Sequence, residues 1–251
     1  MKKVFTLMAI AATMLFAWSC SKDDDGKKNN DNSENNEKPI DQPTGPALVI
    51  DGDFADWAAL EPGTYVAAKN NPDSPWEGVD EIRCYADEDF VFYYIKYNSA
   101  VLSEYYGDAT SLPIRLCINT DGEFASGYQS YFLDGYDFIV EGSLLGEDGQ
   151  WTSFDGTLHQ RIEGWVALLE PGNGLVVGAG KGNEYEIMLF REIFNAAAIG
   201  STVPMLMRDN FQTGIRFYDP GWGELSNMPN VSSDEGDGNG WGHLLDVKTN
   251  K

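Results

Sequence analysis

The sequence predicts an all-β fold: a two-sheet antiparallel β-sandwich, jelly-roll-like, with at most one short helix. Three observations carry this. The apolar segments are short, rich in Val, Ile, Phe and Tyr, and separated by Gly, Asp, Asn and Pro, the way strands and their turns read. Ile114, Leu116 and Ile118 alternate with Arg115, Cys117 and Asn119, as on a strand with one buried face. From Ala47 onward roughly 200 residues remain, enough for one domain with a real core, and they contain no internal repeat or second linker.

The chain opens on a processing signal. Lys2 and Lys3 make a positive start, Val4 to Trp18 is apolar, and small residues lead to Cys20, which is the secretory order. The run is too short to span a bilayer, which takes about 20 residues. A Cys directly after Ala17-Trp18-Ser19 reads as lipoprotein processing of residues 1–19, with Cys20 as the lipidated N-terminus, although the commonest such box has Leu first. An ordinary cleaved signal is the alternative. Ser21-Lys22-Asp23-Asp24-Asp25 resembles the Lys/acidic export signal of surface lipoproteins of the Bacteroidota, which implies a surface-exposed outer-membrane lipoprotein. Residues 20–46 are almost all polar and cannot offset their ordering entropy. They read as an acidic, disordered tether of roughly 85 Å outer reach.

Residues 47–251 hold the strands. Glu81–Tyr85, a turn at Asp87-Glu88-Asp89, and Phe90–Tyr97 read as a hairpin. Further strands are expected at 65–68, 114–119, 137–141, 157–163, 184–189, 203–208, 215–218 and 242–247, with one helix at 191–198. The Gly178–Gly182 run reads as a hairpin tip, because it lacks the spacing of a phosphate loop and leads into a strand. The formal net charge of −23 argues against nucleic acid and anionic lipid, both polyanions. Cys84 and Cys117 fall on separate expected strands. An exported protein can pair them, or both can be buried thiols, and their spacing fits no metal motif.

Several stretches, in order, resemble carbohydrate-binding modules of family 9 and the related DOMON-like sandwiches. They are Ile50-Asp51-Gly52-Asp53-Phe54-Ala55-Asp56-Trp57, the hairpin 82–97, Asn119-Thr120-Asp121-Gly122-Glu123 with Gly127-Tyr128 and Gly135-Tyr136-Asp137, then Glu184–Ile187 and Trp241–Leu244. In the first, Ile50 and Trp57 can bury apolar area around an Asp-Gly turn. Trp57 is therefore a core residue whose Nε1–H needs a partner.

The resemblance implies a structural Ca²⁺ at Asn119, Asp121 and Glu123, with Asp137 or Glu141 as a distant ligand. Oxygen side chains at alternate positions beside a Gly turn suit a hard cation. They equally suit an Asx-type hydrogen-bonded turn. The family clamps a sugar between two Trp rings, and neither ring is matched here: Ser111-Leu112-Pro113 and Ser232–Glu235 stand in their places. The candidate sugar-binding aromatics are instead Trp76 and Trp222 in Pro/Gly loops, and Tyr106. Trp151 is a weaker candidate, and loop Trp residues also serve as lids on a core.

No G-x-S-x-G or H-E-x-x-H is present, so no catalytic set is recognisable and the chain reads as a binder rather than an enzyme. The leading function is glycan binding at the cell surface, as an accessory of polysaccharide capture. The alternative is a structural or protein-interaction subunit of an outer-membrane complex. A haem-binding DOMON-like module is a third reading, with no axial pair assignable among Met205, Met207 and His243.

Overall fold

The alternation in the sequence resolves into two antiparallel sheets that share one core. The computed structural model describes residues 48–75, 78–106, 111–129, 135–198, 209–235 and 242–251. The leader, Cys20, the tether and the strand expected at 203–208 lie outside them. Sheet A contains β1 (Tyr65–Lys69), β2 (Val79–Ala86), β3 (Phe90–Tyr97), β8 (Val176–Lys181) and β9 (Glu184–Phe190), in the order β1-β2-β3-β9-β8. Sheet B contains β4 (Pro113–Asn119), β5 (Phe138–Ser143), β6 (Thr157–Arg161), β7 (Trp165–Leu169), β10 (Asn210–Tyr218) and β11 (Glu224–Met228). Its order is β11-β10-β4-β5-β6-β7, and β12 (Leu245–Lys248) also pairs with β10.

The core lies between the sheets. Ile82, Cys84, Val91, Tyr93, Ile187 and Leu189 from sheet A meet Ile114, Leu116, Ile118, Phe138, Val140 and Ile215 from sheet B. These are the inward positions of period-two strands, and the burial of branched and aromatic side chains there drives the packing. Cys84 sits in this core, whereas Cys117 is on the opposite, outer face of β4. Both are buried free thiols, and a bridge would require one strand to turn over. Burial pushes the Cys84 thiol well above its ordinary pKa.

The outer face of sheet A is covered as well, by residues of the stretch Leu48–Leu60. Leu48 and Trp57, with Ile50, Phe54 and Leu60 packed beside them, lie on Tyr85, Phe92 and Tyr94. A strand buried on both faces reads as a continuous apolar run rather than an alternating one, and Phe90–Tyr97 is such a run.

The described residues contain three short helices, α1 (Ala55–Ala59), α2 (Ser99–Tyr106) and α3 (Arg191–Ala197), where the sequence suggests at most one. α3 is the expected helix. α1 continues the Asp-Gly turn and carries Trp57 inward. α2 starts where Asn98 Oδ1 accepts the Ala100 N–H at 3.1 Å, a local cap that favours a helical turn. Strands β7, β8 and β11 add to the expected set. Gly178, Ala179 and Gly180 lie inside β8 rather than at a hairpin tip, and only Gly182, at φ 64°, occupies the turn.

Candidate functional site

The outer face of sheet B carries the candidate site, and pairing register builds it. Arg115 on β4 stands between Arg216 on β10 and Glu141 on β5, and Arg216 stands beside Asn227 on β11. Side chains opposite one another on an antiparallel pair lie within contact range. Arg115 Nε donates to Glu141 Oε2, and Arg115 Nη1 donates to the Tyr218 hydroxyl at 3.0 Å. Arg216 Nη1 donates to Glu224 Oε1 at 2.9 Å. Burial works against the Arg115 charge, but Tyr218 and Glu141 outweigh it and hold the guanidinium above its ordinary pKa.

Aromatic rings continue this layer. The Arg115 guanidinium lies 4.8 Å from the Tyr218 ring and 5.4 Å from the Trp222 ring, within cation–π range. The Arg216 guanidinium is 5.3 Å from Tyr136, and Tyr136 stacks on Trp165 with centroids 5.8 Å apart. The turn after β4 returns across this face because Tyr128 bridges to Tyr136. That brings two backbones together: a Cβ on Gly127 would stand 2.0 Å from the Gly135 carbonyl oxygen. The Gly-Tyr…Gly-Tyr run in the sequence is thus a packing requirement.

Trp222 is the exposed end of the layer, with 43% of its surface accessible. It sits at the tip of the β10–β11 hairpin, which Asp219 ties together. Asp219 Oδ1 accepts the N–H groups of Gly221 and Gly223 at 2.8 and 2.7 Å, and its carbonyl accepts the Trp222 N–H at 2.9 Å. This winding leaves Trp222 at φ 67°, a region where a bulky side chain is a genuine outlier. Strained residues held by their surroundings cluster at binding and active sites.

Of the candidate sugar-binding residues, Trp222 joins this layer. Trp76 lies outside the described residues, as do Met205 and Met207. Tyr106 is the last residue of α2, and its side chain is not among those described. Trp151 packs against Tyr97 and Tyr185, with its Nε1–H donated to the Gly182 carbonyl at 3.1 Å.

The structure brings Asn119, Asp121 and Asp137 together. Asp137 Oδ2 accepts the N–H and hydroxyl of Thr120 at 3.0 and 3.1 Å. Asn119 Oδ1 accepts the Gly122 N–H at 2.8 Å, and Asp121 accepts from the Glu123 N–H and the Ser126 hydroxyl. Glu123 contributes its backbone to this turn, and its side chain is exposed. Glu141 lies towards the far end of the paired strands and binds Arg115 instead. Burial pushes the Asp137 carboxyl up to about 6, against the Thr120 N–H that lowers it. No three His, Cys, Asp or Glu side chains group as metal ligands among the described residues.

The sequence marked Arg115 as outward-facing but gave no reason to single it out. Arg216, Glu224, Tyr136 and Trp165 were missed too. The available signal was that the outward positions of β4 and β10 carry Arg and Tyr rather than solvating Lys or Glu. No family model matches the chain, and no curated protein matches it.

Proposed function

We propose that this protein binds glycans without acting on them, as a lipid-anchored surface accessory of polysaccharide capture. The observation that carries the reading is the exposed Trp222 ring, held in a strained conformation above Arg115 and Tyr218. A sugar presents C–H groups on its faces and hydroxyls on its rim. A fixed indole suits the faces, and the half-exposed Arg115–Glu141 and Glu224 groups suit the hydroxyls, since charged donors and acceptors make the stronger hydrogen bonds. Polar groups converging beside rigid aromatics are the general make-up of a small-molecule site. The lipid anchor and outer-membrane location rest on the leader and Cys20.

The test is affinity electrophoresis and a glycan array on the soluble chain Ser21–Lys251, beside Trp222→Ala and Arg115→Ala. Retardation by one polysaccharide, lost in both variants while circular dichroism stays unchanged, supports the reading. A folded protein that no glycan retards overturns it, and leaves an interaction subunit of an outer-membrane complex as the better account.

A further inference from the structure

The Trp222 face is not the one place where the fold offers a ring and polar groups together. A cleft of about 440 Å³ opens at the same end of the sandwich, between α2, the loop that ends at Trp151, and the turn Gly182-Asn183. Its position follows from the packing. Tyr97, which ends β3, meets both Trp151 and Phe217, and Tyr218 next to Phe217 begins the hairpin tip that carries Trp222. The volume lies within the usual range of small-molecule sites, about 300–1,000 Å³.

The described lining is neutral. Leu102 and Trp151 supply the apolar wall, and Ser99, Ser103, Gln150 and Asn183 supply hydroxyls and amides. Among the described residues no charged side chain lines it, in a chain of 17 basic and 40 acidic residues. A pocket whose described lining carries no charge, in so acidic a molecule, does not suit an ion. It suits a neutral ligand with many hydroxyls, which amides and hydroxyls can match as donors and acceptors.

The ring in the wall is fixed in advance. Trp151 is pinned by its bond to the Gly182 carbonyl and by Tyr185, whose ring centroid is 5.3 Å away. Strand β8 makes room for both rings. A Cβ on Gly180 would stand 2.7 Å from the Trp151 ring and 2.5 Å from Tyr185, and one on Gly178 would stand 2.6 Å from the Tyr185 hydroxyl. A prefixed ring avoids ordering losses on binding.

We infer that this cleft is a second subsite, which takes a neutral stretch of the same polysaccharide that Trp222 engages. The inference rests on the glycan-binding reading. Two subsites at one end of the sandwich let a repeating polymer bind both at once, and the second contact is then intramolecular. A neutral polymer is selected over a uronate or sulfated one, because the described residues of the cleft offer no cation and the molecule is strongly negative.

The experiment uses the soluble chain Ser21–Lys251 in affinity gels containing starch, mannan, laminarin, xyloglucan, alginate or pectin. The variants are Trp222→Ala, Ser103→Arg, Gln150→Ala, and Trp222→Ala with Ser103→Arg. Ser103 is exposed on α2, so Arg there fills the cleft without disturbing the core, and circular dichroism checks the fold. The expected result is retardation by a neutral polymer, weakened at least ~10-fold by Ser103→Arg and by Trp222→Ala, and abolished in the double variant. Gln150→Ala weakens it in the same direction. Retardation lost in Trp222→Ala but unchanged in Ser103→Arg and Gln150→Ala overturns the second subsite and keeps the glycan reading. Retardation by alginate or pectin alone overturns the neutral selectivity. If no gel retards the folded parent, the glycan reading itself fails, and the subsite falls with it.

Discussion

Trp57 donates its indole N–H to Glu186 Oε2 at 3.1 Å, and both side chains are essentially inaccessible, at 1% and 0% exposure. The other oxygen of the same carboxylate accepts the N–H groups of Asp51 and Gly52 at 2.9 and 2.8 Å. One carboxylate on the outer face of β9 thus holds both the turn and the indole of the opening segment. Burial raises the Glu186 pKa, and the Gly52, Asp51 and Trp57 donors act against that rise. The segment is fastened through a buried charge that is fully supplied with donors, the condition under which such a charge is tolerated.

Glu186→Gln replaces one acceptor oxygen with an N–H₂ that faces either the indole donor or the turn donors. Leaving such a buried donor unmet costs about 1–3 kcal/mol. Trp57→Phe removes the indole donor and leaves the carboxylate oxygen without it, with a loss of similar size, about 1–3 kcal/mol. Urea denaturation at neutral pH measures both. A change within about 0.5 kcal/mol, as at an ordinary surface position, would show that the contact does not hold the segment.

This contact shows what can be read in the sequence. The need for a partner to the Trp57 indole follows from its burial, but the partner stands 129 residues further on, and only the fold joins them. The strand Ile114–Asn119 was legible because Ile114, Leu116 and Ile118 alternate with the polar Arg115 and Asn119, even though Cys117 and Asn119 on its outer face are buried as well. Strand β11, Glu224–Met228, was not, because its residues carry little β propensity and pairing with β10 imposes its conformation. The outward Arg115 was legible as a direction only. Its meeting with Glu141, Tyr218 and Trp222 depends on strand order and on the Asp219 turn.

The small residues of β8 make a sharper prediction than its apolar ones. In Gly180→Ala the new methyl meets the rings of Trp151 and Tyr185, and neither is a flexible chain that can swing aside. Overpacking of this kind costs about 1–3 kcal/mol. Intrinsic tryptophan fluorescence should shift as Trp151 is displaced, and the urea midpoint should fall. An unaltered spectrum and midpoint would mean that the rings are not seated on this strand.

Acid should stabilise part of this fold. Asp137 is raised from its ordinary value to about 6, and Glu186 is raised as well. Between the unfolded and folded pKa values the native state holds more protons than the unfolded chain, so stability falls as pH rises through that window. For Asp137 the window is about pH 4 to 6, and Asp137→Asn should flatten the slope there. Calcium gives the same carboxylate a second test. A cation bound by Asn119, Asp121 and Asp137 would lower the Asp137 pKa and raise the Tm at roughly millimolar Ca²⁺. An unchanged Tm would leave the turn held by its own hydrogen bonds.

Trp222 separates stability from function more cleanly than any other position. Its φ of 67° suits glycine, and an L side chain there costs roughly 1–2 kcal/mol. Its ring stands outside the core and is 43% exposed, so little burial offsets that strain beyond its contacts with Tyr218 and Arg115. Trp222→Gly should therefore leave the fold as stable as the parent, or more stable by about 1 kcal/mol, while glycan retardation is lost. If instead the ring were a lid on the structure beneath it, the substitution would expose Tyr218 and destabilise the protein by about 3 kcal/mol or more. Urea denaturation together with affinity electrophoresis on the one variant distinguishes the two: a platform loses binding and keeps its midpoint, and a lid loses its midpoint.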